Sequence, residues 1–258
     1  MLELIRWMPA YNNIVVLRSH KLLFCPIPKV ACSNWKITLR HAEGQRDSDE
    51  TIAHDRDRNG LTYLYKLKRI HRAAWLIRPD VTRAVFVRNP WTRVLSAYRS
   101  KLEGLRPSQV SDSPRRRYLK TVLSHLRKDD APISFDEFIG YLEATPPEQM
   151  NEHWQPQSQI AGLGYVRYDF IGQFEQLERD VENIVARCGL PQFYCGEIKT
   201  VPPTHSSRSE QIRHYYTPEL IERVGRIYAE DVRQLGYSWP DKIDDLARAA
   251  LPTDGARC

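Results

Sequence analysis

Twice in this chain a short apolar run ends in a proline-bearing turn and passes directly into a helical pattern. The first is "FCPIPKVACSNWK", residues 24–36; the second is "VFVRNPWTRVLSAYRSK", residues 85–101. Each reads as strand, tight turn and helix, and strands that alternate with helices must lie parallel in one sheet with both faces covered. The expected fold is therefore α/β: one domain over residues 1–240, a central parallel sheet flanked by helices, and a peripheral tail over 241–258.

The remaining pattern fills in this frame. "NNIVVLRSHKLLFCPIP" reads as two short strands around a turn at Ser19-His20-Lys21. "TRAVFVRNP" is the best central strand, with Pro90 opening the helix that follows. Residues 43–60 are polar and loop-like, and a helix is expected from Leu61 with Leu64, Leu67 and Ile70 on one face. Ser134 and Glu137 have the spacing of a capping box. A strand over 168–172 leads into a helix ended by Gly189, and a long helix is expected over 217–235.

Both turns have the makings of anion sites. Backbone N–H groups without intrahelical partners converge where a helix begins. In the first turn Lys29 adds a mobile positive charge, and the Ser33 hydroxyl and Asn34 amide add donors. A Walker loop would need two glycines and a Lys-Ser/Thr pair, and this loop has neither; Ala31 supplies only part of the required smallness. The alternative is an ordinary helix start with an incidental lysine. In the second turn Arg88 stands at the strand end and Ser96 eight residues on, about two turns into the helix. Arginine's planar fork suits phosphate; otherwise Arg88 merely ends a strand and Ser96 lies on a helix face. Two such sites suggest one ligand with phosphates at both ends. A net charge of +6 agrees with an anionic partner without specifying it.

"PKVACSNWK", "VRNPWTRVLSAYRSK", "NEHWQPQ" and "YDFIGQFEQLERDV", in that order, resemble the carbohydrate sulfotransferases of the chondroitin 4-sulfotransferase and HNK-1 sulfotransferase type. The resemblance runs from about residue 14 to residue 238. It implies a P-loop-NTPase-like sulfotransferase fold and transfer of sulfate from 3′-phosphoadenosine 5′-phosphosulfate (PAPS) to a sugar hydroxyl, with no metal required. It makes the stretch from Pro28 through Lys29, Val30, Ala31, Cys32, Ser33, Asn34 and Trp35 the 5′-phosphosulfate loop. Lys29 would neutralise the bridging oxygen as sulfate leaves, and Ser33 and Asn34 would hold the 5′-phosphate. Trp35 would stack near the adenine or belong to the core. Arg88 and Ser96 match the 3′-phosphate site, and Ser206 and Arg208 fall where relatives carry a cofactor-touching loop.

The acceptor hydroxyl needs a general base, and histidine titrates near working pH. His54, in the polar segment between the two turns, resembles the base of the family; His153 in "NEHWQPQ" is the second candidate. The expected partners are PAPS, its product PAP and a polysaccharide, oligosaccharide or glycolipid acceptor, and nucleic acid is not among them.

No run of about 18 apolar residues is present, so no membrane-spanning helix is expected. The animal enzymes have a membrane anchor, and a cysteine pair after their "HW-x-P-Q" where this chain reads "SQIAGLG". These departures point to a cytoplasmic, bacterial-like enzyme, at most against the inner face of a membrane. Two competing readings are a non-catalytic module that binds a nucleotide or sulfated glycan and, with less support, a P-loop kinase.

Overall fold

The computed structural model describes residues 12–111, 113, 116–126, 129–195 and 205–249; of residues 205–209 and 248–249 it describes the backbone alone. In chain order it runs β1 (Val15–Leu17), β2 (Leu22–Cys25), α1 (Cys32–Ala42), α2 (Glu50–His54), α3 (Arg69–Ile77), β3 (Thr82–Val87) and α4 (Pro90–Lys101). Next come α5 (Arg117–Leu126), α6 (Phe135–Glu143), α7 (Gln157–Ala161), β4 (Phe170–Gln173) and α8 (Leu177–Cys188). The chain ends with α9 (His205–Tyr215), α10 (Pro218–Ile227), α11 (Ala229–Leu235) and α12 (Ile243–Ala249). It divides into two compact units: the first takes the chain through Arg88 and resumes at Gln157, and the second holds residues 89–156 and the helices from α9 onward.

The first unit is the expected α/β sheet, four strands in the order β1-β2-β3-β4. β1 and β2 pair antiparallel around the turn at 18–21, while β2, β3 and β4 are parallel, with Phe24 beside Ala84 and Ala84 beside Phe170. β1 and β2 are buried throughout, as sheet strands covered on both faces must be. Because β2, β3 and β4 are parallel, the chain leaves Cys25, Val87 and Gln173 at one edge of the sheet. Ligands of open α/β sheets sit at that carboxyl edge.

Trp35 belongs to this core and not to a binding surface. Its ring is fully buried, with centroids 4.5 Å from Phe24, 4.6 Å from Phe86 and 4.7 Å from Phe193. One residue separates it from Ser33, but helical geometry turns consecutive odd positions about 200° apart, so one faces the turn and the other the sheet.

The second unit is helical. Trp91, Tyr98, Phe135, Phe138, Trp154, Tyr216 and Tyr228 meet in a single core. Ser134 accepts from the Glu137 N–H, and the Glu137 carboxylate accepts from the Ser134 N–H, so the capping box forms as expected. Pro90 opens α4 behind an Asn89 cap, and Gly189 ends α8 in the left-handed conformation.

Four expectations need correction. The polar segment 43–60 contains α2, started by Asp49, whose carboxylate accepts from Thr51 and Ile52. The helix expected from Leu61 is a short turn at Leu64–Lys66 followed by α3, and Ile70 is exposed. The long helix over 217–235 breaks at Tyr228 into α10 and α11. The tail past 241 is not peripheral throughout, since Leu246 and Ala247 of α12 are buried in the second unit's core. No helix among the described residues is long and apolar enough to cross a membrane.

Gly172 in β4 has no room for a side chain, because a Cβ there would stand 2.5 Å from a Phe86 ring carbon. Gly172→Ala is expected to destabilise the sheet by about 1–3 kcal/mol, the usual cost of overpacking, as read from chemical denaturation.

Candidate active site

The loop joining β2 to α1 has no glycine, yet it uses the conformation glycine favours. Lys29 (φ 70°) and Ala31 (φ 49°) both adopt the left-handed region. Each such residue costs about 1–2 kcal/mol relative to the right-handed form, so the surrounding structure must impose it. The loop is anchored at Val30, which is buried and donates its N–H to the Ile27 carbonyl at 3.3 Å. Buried Val30 and Cys32 offer a ligand their backbone at most, while Pro28, Lys29, Ala31, Ser33 and Asn34 remain partly exposed.

The two helix starts differ. Ala31 stands at the N-cap of α1 and makes no side-chain cap, and no acidic residue lies in that helix's first turn, so its positive end faces the loop. At α4, Asn89 Oδ1 accepts from the Trp91 and Thr92 N–H groups at 3.1 and 3.3 Å. The second helix start is thus occupied by its own cap, and any anion near it would be held by side chains.

Around α1, Ser33 Oγ lies 2.9 Å from His54 Nε2, and Lys36 Nζ lies 3.3 Å from His54 Nδ1. Lys36 is only 9% exposed, whereas His54, the last residue of α2, is exposed. Hydrogen bonds from the Thr51 and Ile52 N–H groups hold the Asp49 carboxyl below the usual carboxylate range and fix the start of α2. Asn34 is turned elsewhere, donating to the Tyr194 carbonyl at 2.9 Å, and Thr38 accepts from the Tyr194 N–H. That amide therefore ties the loop to a distant stretch of chain.

Arg88 follows β3 at the same edge of the sheet. Its guanidinium donates to the Lys29 carbonyl at 3.1 Å and lies over the Phe174 ring, 4.5 Å from the centroid. Its backbone is clamped by the fully buried Gln157, whose Oε1 accepts from the Arg88 N–H at 2.9 Å and whose Nε2 donates to the Arg88 carbonyl at 2.7 Å. Gln157 is the final residue of the "NEHWQPQ" motif, yet sequence reasoning assigned it no role. It opens α7, and its burial, which obliges the amide to find partners, is not visible in the sequence.

The first unit thus brings together Lys29, Ser33, His54 and Arg88. Ser96 and His153 belong to the second unit. Ser96 is partly exposed on α4, and the His153 ring packs on Tyr118 and Trp154 with centroids 6.0 and 6.4 Å away. The turn bearing His153 is held by buried Arg93, which donates to the Glu152 and Gln155 carbonyls at 3.0 and 2.8 Å. Burial lowers the Arg93 pKa from its ordinary value, against the raising effect of Tyr228, Asp231 and Glu152. Ser206 and Arg208 fall in the first turns of α9, and their side chains lie outside the described residues. Tyr98 is core, donating to the Ile133 carbonyl, and burial pushes its hydroxyl up to about 12.

A profile described as "Sulfotransferase family" matches residues 12–238. Carbohydrate sulfotransferase 14 of Danio rerio is 30% identical over 92% of this chain and 65% of its own length. The Homo sapiens protein of the same name is 34% identical over 67% of this chain and 46% of its own. Carbohydrate sulfotransferase 9 of Homo sapiens is 32% identical over 88% of this chain and 52% of its own. The chain thus spans about half to two thirds of the length of these relatives. No solved structure gives a significant match. The strand-turn-helix edge and the match over almost the whole described sequence lead to one assignment: this chain belongs to the sulfotransferase family and is a homologue of the carbohydrate sulfotransferases.

Proposed function

We propose that this chain transfers a sulfuryl group from PAPS to a hydroxyl of a sugar in a polysaccharide, oligosaccharide or glycolipid. The observation that carries the reading is the start of α1, uncapped and flanked by Lys29, with Arg88 bonded to the Lys29 carbonyl. A donor with a 5′-phosphosulfate and a 3′-phosphate needs two anion-holding groups of residues. The α1 start with Lys29 and Ser33 suits the first, and the Arg88 guanidinium suits the second. Trp35 has no part in holding the adenine, because its ring is spent on the core.

When bound, PAPS supplies an activated sulfuryl group on a phosphate leaving group. The chain's contribution is position and charge. Lys29 would hold its ammonium where negative charge grows on the departing oxygen, an interaction stronger in the transition state than in the ground state. The left-handed loop fixes the Lys29 backbone before any ligand binds, which reduces the ordering left for the reaction itself. The acceptor's proton must pass to a base, for which His54 and His153 are the candidates.

A non-catalytic binding module would share the anion sites but transfer nothing. Radiolabelled PAPS presented with a panel of polysaccharides, oligosaccharides and glycolipids separates the two. Label in a sugar product supports the enzyme, whereas tight PAP binding with no transfer to any acceptor supports the module. Lys29→Ala is expected to lower turnover by about 10²–10³-fold, the usual effect of removing a transition-state donor, with circular dichroism unchanged; undiminished turnover would remove Lys29 from the chemistry. Arg88→Met is expected to weaken PAP binding in calorimetry by about tenfold to hundredfold, the range for one charge-assisted interaction. Gln157→Leu should also weaken PAP binding although Gln157 is proposed to touch no ligand, because it frees the Arg88 backbone; unchanged affinity would show that the clamp is dispensable.

A further inference from the structure

Helix α3 turns its most apolar side chains outward. No residue of Arg69–Ile77 is buried. Arg72 folds back and donates to the Leu67 carbonyl at 2.8 Å and to the Tyr65 carbonyl, while the Leu76 carbonyl accepts from Arg83 at 3.0 Å. Ile70 and Ile77, in contrast, are 74% and 78% exposed, the two most exposed large apolar side chains among the described residues. Seven positions apart on a helix, they stand about 20° from each other around its axis and about 10 Å apart along it. Ala73 and Ala74 lie between them. One exposed isoleucine is ordinary on a protein surface, but two in line on one face form an apolar ridge.

The ridge is rimmed by positive charge. Lys68 and Arg69 are exposed at its first end. At the other end Arg78 and Lys21 share the carboxylate of Asp80, at 2.6 and 3.3 Å, which leaves that end positive as well. Between Asp57 and Asp80 the sequence holds six lysines and arginines and no acidic residue. This charge decides among occupants. A second copy in a twofold contact would meet the ridge with the same surface, setting cations against cations in either alignment. A folded partner would need a groove shaped to a convex helix. A bilayer takes in apolar side chains without one, and anionic headgroups complement the rim.

We propose that α3 docks this chain on the surface of an anionic phospholipid bilayer, with Ile70 and Ile77 entering the boundary between headgroups and acyl chains and Lys68 and Arg69 lying against the headgroups. The contact is peripheral and reversible, because two isoleucines and a few charges bind far more weakly than a spanning helix.

Sedimentation with vesicles provides the test. Vesicles of phosphatidylcholine mixed with phosphatidylglycerol should bind the chain at least about tenfold more tightly than phosphatidylcholine alone, and added salt should shrink the difference. Ile70→Gln combined with Ile77→Gln is expected to weaken binding about hundredfold, roughly tenfold for each isoleucine withdrawn from water. Lys68→Gln combined with Arg69→Gln should weaken it about twenty-five-fold at low salt, roughly fivefold for each charge near an anionic surface. Without vesicles both double variants should unfold at the temperature of the unmodified chain, since none of the four residues is buried.

Equal binding to the two kinds of vesicle, or binding to neither, overturns the proposal. So does undiminished vesicle binding by the isoleucine variant, because a surface that acts by charge alone would serve a soluble polyanion equally well. A lower unfolding temperature for that variant would show the ridge covered by this chain itself. A dimer that the same variant dissociates in analytical ultracentrifugation would give the ridge to a second copy. Either of these results also overturns it.

Discussion

One buried amide, that of Gln157, fixes the point on which the first unit's site depends. The carboxyl end of β3 has lost its strand partners by Arg88, and an exposed N–H and carbonyl there would let the chain sway. Gln157 satisfies both groups with one side chain, and burial makes their loss costly. Arg88, thus fixed, bonds the Lys29 carbonyl and ties the β2–α1 loop to the end of β3. Three segments distant in sequence thereby act as one rigid edge.

The two strand-turn-helix stretches look alike in sequence and differ in chemistry. Asparagine before the second helix occupies that helix start; alanine before the first cannot. A cap generally contributes about 1 kcal/mol to stability, and α1 forgoes that contribution. The same loop adopts left-handed geometry at two residues with side chains, although glycine would be less strained there. At Lys29 the side chain itself supplies the reason, since glycine would remove the ammonium.

Much of this was legible in the sequence, and the failures have identifiable causes. β-branched runs, prolines at helix starts, the Ser134–Glu137 spacing and Gly189 act locally, so they could be read locally. α2 was missed because its neighbours are polar, although Asp49 is an ordinary helix opener. The break at Tyr228 has neither proline nor glycine to mark it; the hydroxyl of that tyrosine bonds the Trp154 carbonyl 74 residues away. At the site, the residue types proposed to hold an anion were plain. Whether a given side chain faces ligand or protein was not, because Asn34, Trp35 and Gln157 are each committed to partners distant in sequence. His54 is the subtler case, since its place was readable but its contacts with Ser33 and Lys36 arise only when α2 folds against α1.

The turn over 152–155 suggests how the second unit moves. Arg93 reaches from α4 to two of its carbonyls, and Tyr228 reaches from the break between α10 and α11 to a third. None of these donors can let go without leaving a buried polar group stranded. Opening of the turn is therefore coupled to α4 and to the α10–α11 junction. Their amides should exchange with solvent as one cooperative block, protected to a common opening free energy instead of fraying one by one. Whatever flexibility substrate entry requires would then have to come from outside that block.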